Sequence, residues 1–133
     1  MADWDEESPR LRDNLRAVLR DIRDDAYQRA PLNLEELRNW HRRIMSGLHT
    51  PNLSWIGRFR GEKGLDNLGV RVGRHRGTAA SQVANELTEF EQRLVRVIEH
   101  MDSMIAPGSE LSTDQIEAVL EVCAWAHSEW VRV

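Results

Sequence analysis

The sequence predicts an all-α fold, a small bundle of about four helices with a short Gly-rich β-hairpin flap between the second and third helices. Three observations indicate this class. Four segments repeat apolar residues at helical spacing, and capping residues open three of them. Six of the eight glycines fall between residues 57 and 77. Glycine at that density is incompatible with a helix interior, so this segment is expected to be irregular or strand-like.

The first helix is predicted to begin at Ser8-Pro9, because serine caps helix N-termini and proline fits the first helical position. Apolar residues continue at helical spacing as far as Ile22. The helix should end near Tyr27, before Ala30-Pro31. Residues 1–32 are therefore assigned to an N-terminal helix that precedes the remaining domain.

The second helix is predicted to begin at Asn33, with Glu36 three positions later in a variant of the capping box. Gly47 and Thr50-Pro51 should close it by about His49. His41 lies near its apolar face and is interpreted as a histidine at the edge of the core. The apolar face consists of Leu34, Leu37, Trp40, Ile44 and Leu48.

The flap is placed at about residues 57–77. Val70-Arg71-Val72 alternates between apolar and charged residues, and the turn residues Asp66-Asn67 and Gly73 flank it, which predicts a short strand or hairpin. From Arg58 to Arg76 the sequence has six Arg and Lys residues against two acidic ones. Loops on a rigid scaffold often carry function, so this basic segment is the first candidate for binding.

Helix is predicted again from about Ala79 to Ile105, with apolar residues in near-heptad spacing. Ser112 and Gln115 then form a capping box that opens the last helix. The face of the last helix predicted to be buried consists of Ile116, Val119, Leu120, Cys123, His127 and Trp130. Cys123 and His127 are accordingly interpreted as core residues.

Composition excludes several classes of protein. A formal charge of -4 disfavours a general nucleic-acid binder, and no apolar run is long enough to span a bilayer. A single cysteine and an acidic N-terminus without an apolar core predict a cytoplasmic protein. The histidines show no metal-ligand spacing, and no phosphate-binding Gly-Lys-Ser/Thr is present. The residues alone therefore predict no catalytic and no metal-binding residue.

Five segments, in order, resemble the Fic (fido) domain family. Residues 34–48, LEELRNWHRRIMSGL, resemble its early helix, and Gly57-Arg-Phe-Arg60 resembles its Gly-x-Phe/Tyr-Arg signature. Val70-Arg-Val-Gly73 lies where the family has a β-hairpin flap, and residues 79–104 are similar to the next core helix. Residues 126–133, AHSEWVRV, resemble its Ala-His-x-x-Phe-x-x-Ile.

In that family the active-site motif His-Pro-Phe-x-Asp/Glu/Ala-Gly-Asn-Gly-Arg comes next, whereas this sequence ends at Val133. The resemblance thus implies that residues 33–133 are an incomplete Fic-like domain. Intact members typically transfer AMP from ATP, with Mg²⁺, to a Ser, Thr or Tyr hydroxyl of a target protein. The motif His is their general base. This chain is expected to be inactive, and no catalytic residue is assigned.

The flap is the only functional element of the family whose role can be assigned to residues of this sequence. The resemblance implies that it docks the target by strand-like main-chain pairing. The residues concerned are Gly69, Val70, Arg71, Val72 and Gly73.

Partners and alternatives complete the sequence-based hypotheses. Many members of the family are inhibited by a helix with the pattern Ser/Thr-x-x-x-Glu-Gly/Asn. The helix from Ser8 does not match this pattern. The inhibitor could therefore be a separate, antitoxin-like protein, which is one expected partner. Self-association through an exposed last helix is another expected interaction.

The alternative function is a complete, non-catalytic helical protein-binding module that uses the basic flap. Nucleic-acid binding through the same arginines is disfavoured by the overall acidity.

Overall fold

The computed structural model describes residues 7–133, which divide into two compact units at the Phe59–Arg60 junction. The described residues contain four α-helices and one two-stranded antiparallel hairpin, so the predicted helical fold class is confirmed in this coarse form. Among the same residues, no helix combines the length and the apolar character that crossing a membrane requires.

The first unit contains α1 (Pro9–Tyr27), α2 (Leu34–Ile44) and a 3₁₀ turn (Leu53–Trp55). The Ser8 hydroxyl accepts a hydrogen bond from the Leu11 N–H at 3.1 Å, and Pro9 occupies the first helical position. Both ends predicted for the first helix are therefore confirmed. Val18 is the most deeply buried side chain of α1, with 2% of its surface exposed.

α2 ends at Ile44, five residues before the predicted end near His49. Gly47, three residues later, has φ +70°, which ends the helical conformation, and α1 contributes a cap. Asn14 Nδ2 donates to the main-chain oxygens of Ile44 and Ser46 at 2.9 and 3.0 Å, and Arg10 Nε donates to the Ser46 oxygen at 3.0 Å. These donors satisfy carbonyls that a longer helix would use internally, so the helix can end there at little cost.

The second unit contains β1 (Arg71–Val72), β2 (His75–Arg76), α3 (Ala80–Met104) and α4 (Thr113–Arg132). The predicted capping box of α4 is confirmed: Gln115 N–H donates to the Ser112 hydroxyl at 3.2 Å, and Ser112 N–H donates to Gln115 Oε1 at 3.0 Å. Burial is concentrated in the first half of α3 and in the loop before the hairpin. The buried residues are Leu65, Val83, Leu87 and Phe90.

The face of α4 that contacts α3 agrees with the prediction at Trp130 and differs from it at other positions. Phe90 of α3 lies 5.8 Å from Trp125 and 6.2 Å from Trp130, measured between ring centroids. Cys123 and His127, predicted to be core residues, are exposed. Trp130 belongs to the predicted face, whereas Trp125 lies about 140° away from it around the helix, so the contact with α3 is displaced from the predicted face toward Trp125. Leu120, on the predicted face, is 62% exposed.

Candidate functional site

The hairpin spans residues 70–77. Arg71 pairs with Arg76 and Val72 with His75, and the Val70 oxygen accepts from the Gly77 N–H at 2.9 Å. Gly73 is the first residue of the two-residue turn and has φ +60°. Glycine adopts this conformation without a Cβ penalty, and the type II′ hairpin turn places glycine at this position.

Both edges of the hairpin present main-chain groups to solvent. Hydrogen-bonded and non-hydrogen-bonded pairs alternate along an antiparallel ladder. Because Val70 bonds to Gly77, the Arg71–Arg76 pair is a non-hydrogen-bonded one, and its N–H and C=O groups point outward. Within residues 7–133 no third strand joins either edge. The β1 edge can therefore accept another extended chain.

The hairpin also carries a concentrated positive charge. Residues 71–76 include Arg71, Arg74 and Arg76 and no acid, and all three arginines are exposed. Arg71 Nε donates to the Gly73 oxygen at 2.9 Å, which holds this side chain along the hairpin. Three like charges on one short hairpin reinforce one another's attraction for an acidic partner.

The base of the hairpin is held by Arg60. Its Nη1 donates to the Leu68 oxygen at 2.9 Å, and its Nη2 donates to the Thr78 oxygen at 2.8 Å and to the main-chain oxygen of Val133 at 2.6 Å. Leu68 precedes the hairpin, Thr78 follows it, and Val133 lies directly after α4. One guanidinium thus joins both legs of the hairpin to the C-terminal end of α4.

Thr78 makes a second connection between the same two elements. Its N–H and its hydroxyl donate to the Arg132 oxygen at 3.1 and 3.3 Å. The last carbonyls of a helix have no partners within the helix, and here Arg60 and Thr78 supply donors for two such oxygens. The hairpin base therefore serves as a cap for α4.

Close packing brings the loop containing Arg60 against the start of α3. Gly61 has φ +85°, and a Cβ atom at this position would lie 2.0 Å from the Ala80 oxygen. Only glycine permits both the backbone conformation and this approach. The position of Arg60 consequently depends on the residue that follows it.

Charged side chains hold the last turn of α4. Arg132 Nη2 lies 2.8 Å from Glu86 Oε2 of α3 and 2.9 Å from Glu129 Oε2. The hydrogen bond from Arg132 lowers the pKa of Glu129, and the hydrogen bonds to Glu129 and Glu86 raise the pKa of Arg132. The orientation of the α4 end is thus set by polar contacts in addition to the aromatic ones.

The five flap residues of the sequence analysis are adjacent in the structure. Gly69 precedes the hairpin, Val70 is its first residue, Arg71 and Val72 form β1, and Gly73 begins the turn. Among the described residues 7–133, no group of three His, Cys, Asp or Glu side chains could hold a metal ion.

Two contacts escaped the sequence analysis. Arg60 belongs to the Gly57-Arg-Phe-Arg60 segment, but its acceptors are main-chain oxygens, which no side-chain pattern reveals. In the first unit, the Gly57 N–H donates to His41 Nδ1 at 2.8 Å. The only signal for either contact was an arginine or glycine at a turn in a Gly-rich segment.

No protein family model matches this chain, and comparisons with curated proteins and with solved structures gave no match either.

Proposed function

We propose that the β1 edge of the hairpin docks an extended, acidic segment of a target protein, and that this docking serves a Fic-type transfer of AMP from ATP to a hydroxyl of that target. The observation that carries the proposal is the Arg60 contact between the hairpin base and the end of α4. In the family that the sequence resembles, the flap holds the target beside the catalytic loop that follows this helix.

The proposed reaction divides into docking and chemistry. These 133 residues contain no His-Pro-Phe motif, so the general base, the Mg²⁺ ligand and the phosphate-binding nest would come from outside them. By itself this chain would bind the target and transfer nothing. The single cysteine suits a reducing compartment, and we place the reaction in the cytoplasm.

The proposed docking is strand addition. The outward N–H and C=O of Arg71 would pair with the main chain of the target, while Arg71, Arg74 and Arg76 attract its acidic side chains. Main-chain pairing tolerates many sequences, and the three positive charges give the preference for acids. Specificity for one hydroxyl would then depend on register along the strand.

Binding can be tested on the 133-residue protein with an acidic heptapeptide of alternating Glu and Thr. We expect saturable amide shifts in the NMR spectrum at residues 70–73. Arg71→Ala removes one exposed charge and should weaken binding about two- to fivefold. Arg71→Pro loses the same side-chain hydrogen bond to Gly73 as Arg71→Ala and breaks no main-chain hydrogen bond of the hairpin. It also removes the outward N–H and should weaken binding about fivefold further.

Arg76→Pro is the matched control, because it removes the equivalent N–H from the opposite edge together with the same charge. It should behave like Arg71→Ala. Equal loss in the two proline variants would contradict docking at β1. Unchanged affinity in all three variants would show that the peptide binds elsewhere.

The same hairpin supports a second function, a non-catalytic helical protein-binding module, because it offers docking groups in a chain without the catalytic motif. Incubation with ATP, Mg²⁺ and the heptapeptide, followed by mass spectrometry, separates the two. Protein isolated from its native source should add AMP to the peptide under the first proposal, and the 133-residue chain should not. If the native protein binds the peptide and adds no AMP, the module is supported. AMP transfer by the 133-residue chain would contradict our assignment of its residues.

A further inference from the structure

The last helix, α4, is apolar in composition, yet the rest of the second unit covers it only in part. The whole helix lies within the described residues, and none of its side chains is buried. Its aromatic contacts with α3 join Phe90 to Trp125 and Trp130. A helix normally buries its apolar face against another element, so an apolar face that stays exposed indicates an interaction surface.

The exposed face of α4 carries a stripe that runs along the helix. Its members are Ile116, Leu120, Cys123, His127 and Val131, and all of them are exposed. They follow one another at intervals of three or four residues, which places them on one side of an α-helix. Two helices pack along a common seam at this spacing. The stripe therefore suits a helical partner.

Further exposed apolar side chains lie at the connection between α3 and α4. Met104, the last residue of α3, is 59% exposed, and Leu111, just before α4, is 41% exposed. Both flank the connection at the end of α4 where Ile116 lies. The flexible thioether of methionine adapts to apolar partners of different shape. Met104, Leu111 and the stripe together are called the α4 surface below.

The region of the α4 surface is strongly acidic. Residues 97–128 contain six acidic residues and no Lys or Arg, and all six acids are exposed. Glu117 and Glu121 follow Ile116 and Leu120 by one position each, so a row of acids runs beside the stripe. Negative charge beside an apolar surface favours a partner with positive charge. The other four acids are Glu99, Asp102, Glu110 and Asp114.

We propose that the α4 surface docks a basic amphipathic helix of another protein. The apolar face of that helix packs on the stripe, and its Lys and Arg side chains pair with the acids beside it. A second copy of α4 is a poorer occupant, because α4 carries four acidic residues and one arginine, and two copies would repel each other. The hairpin differs in both respects, since it is basic and is proposed to pair with an extended chain.

Three synthetic peptides of about 18 residues, nearly the length of α4, test the proposal. The first has leucine on one helix face and lysine elsewhere. The second has glutamate in place of lysine, and the third has the composition of the first in an order without an apolar face. Each would be titrated into the 133-residue protein while the methyl signals of Met104 and Leu120 are followed by NMR.

We expect saturable shifts with the first peptide and affinities at least about tenfold lower with the other two. Absent or non-saturable shifts with the first peptide would overturn the proposal. Equal affinity for the first and second peptides would reject the role of the acids, and equal affinity for the first and third would reject packing on the stripe. These comparisons use the wild-type protein and do not depend on the folding of any variant.

Leu120→Gln removes one apolar side chain from the stripe and should weaken binding of the first peptide about three- to tenfold. Leu120 is 62% exposed, so the substitution should leave the fold intact. Leu19→Gln is the matched control, because Leu19 is 51% exposed on α1 in the other unit, and it should leave the affinity unchanged. Equal effects of the two variants would show that the peptide binds elsewhere.

The contribution of charge can be tested in the same way. Glu117→Gln should weaken binding of the first peptide about twofold. Glu89→Gln removes the same charge from an exposed site in the first half of α3 and should have a smaller effect. Equal effects of the two variants would mean that Glu117 does not pair with the peptide.

Sedimentation of the 133-residue protein and of Leu120→Gln tests the second copy as the occupant. We expect the two proteins to sediment as the same species. A dimer that Leu120→Gln dissociates would assign the stripe to a second copy and would overturn the proposal. Binding of the acidic heptapeptide at residues 70–73 is read from other signals, so failure of either proposal can be distinguished from failure of the other.

Discussion

Arg60 and Arg71 lie in the same Gly-rich segment, yet the structure uses them in opposite ways. Arg60 is half-buried and donates to three main-chain oxygens, from Leu68, Thr78 and Val133. Arg71 is exposed and donates locally to Gly73. The first arginine fixes the base of the hairpin, and the second leaves its charge accessible to a partner.

The difference shows how a small hairpin can present a binding edge. An isolated two-stranded hairpin is marginally stable in water, and strands of two residues are shorter than usual. Hydrogen bonds in a partly buried site are stronger than those at an exposed tip. Stability is therefore expected to reside in the base of the hairpin and binding in its tip, and substitutions in the two regions should separate these properties.

Gly61→Ala should have the largest effect on stability. The new Cβ would lie 2.0 Å from the Ala80 oxygen at φ +85°, so the main chain has to shift. We expect a loss of about 2–5 kcal/mol in the free energy of unfolding, combining backbone strain with overpacking. Urea denaturation followed by circular dichroism would measure it.

Gly64→Ala is the matched control, because Gly64 has the same φ of +85° and a Cβ atom at this position would have no neighbour within 4 Å. It should cost only the backbone term, about 1–2 kcal/mol. Gly73→Ala at the tip, also in open space, should cost a similar amount. Equal losses at positions 61 and 64 would mean that the approach to Ala80 contributes nothing.

Arg60→Ala should have the next largest effect. It leaves the Leu68, Thr78 and Val133 oxygens without this donor, and we expect a loss of about 2–3 kcal/mol in the free energy of unfolding. Arg60→Lys should recover only part of it, because an ammonium cannot reproduce the planar fork of a guanidinium.

Arg74→Ala, which removes an exposed arginine from the hairpin tip, should change stability by less than about 0.5 kcal/mol. The same variant should weaken binding of the acidic heptapeptide. Similar stability losses for Arg60→Ala and Arg74→Ala would mean that the base of the hairpin contributes no more to stability than its tip.

The parts of the fold that depend on local sequence could be predicted. Ser8 and Ser112 cap helices through residues three positions away, so their motifs are complete within one turn. The end of α2 was predicted only approximately: Gly47, with φ +70°, is a local signal close to it, but the donors that satisfy the carbonyls at Ile44 and Ser46 come from Asn14 and Arg10, about thirty residues earlier. The face of α4 that contacts α3 was predicted only in part: Trp130 of the predicted face contacts Phe90, but so does Trp125 from another side of the helix, and spacing alone does not rank the two.

In the candidate site, too, the features with local sequence signals could be predicted and those that depend on distant contacts could not. The alternation around Arg71 and the glycine at position 73 are local signals, and they indicated a strand or hairpin. The anchoring role of Arg60 was hidden, because every acceptor is a main-chain oxygen and the farthest, on Val133, is 73 residues away. The contacts of Arg60 depend on where the folded backbone places its carbonyl groups, and the sequence does not show this directly.

The smallest effect is expected at the charged end of α4. The hydrogen bond from Arg132 lowers the pKa of Glu129 below its ordinary value of 4.5, so its stabilising contribution is fully present above that pH and is lost as pH falls through the folded-state pKa. Glu129→Gln should cost about 0.2–1 kcal/mol at neutral pH, as for other exposed ion pairs, and less in acid. Urea denaturation of both proteins at neutral and acidic pH would measure this convergence. Glu121→Gln is the control, because it removes the same charge from an exposed site on α4, and it should change the free energy of unfolding by less. If the two variants lose the same free energy of unfolding at each pH, Arg132 does not stabilise the folded state through Glu129.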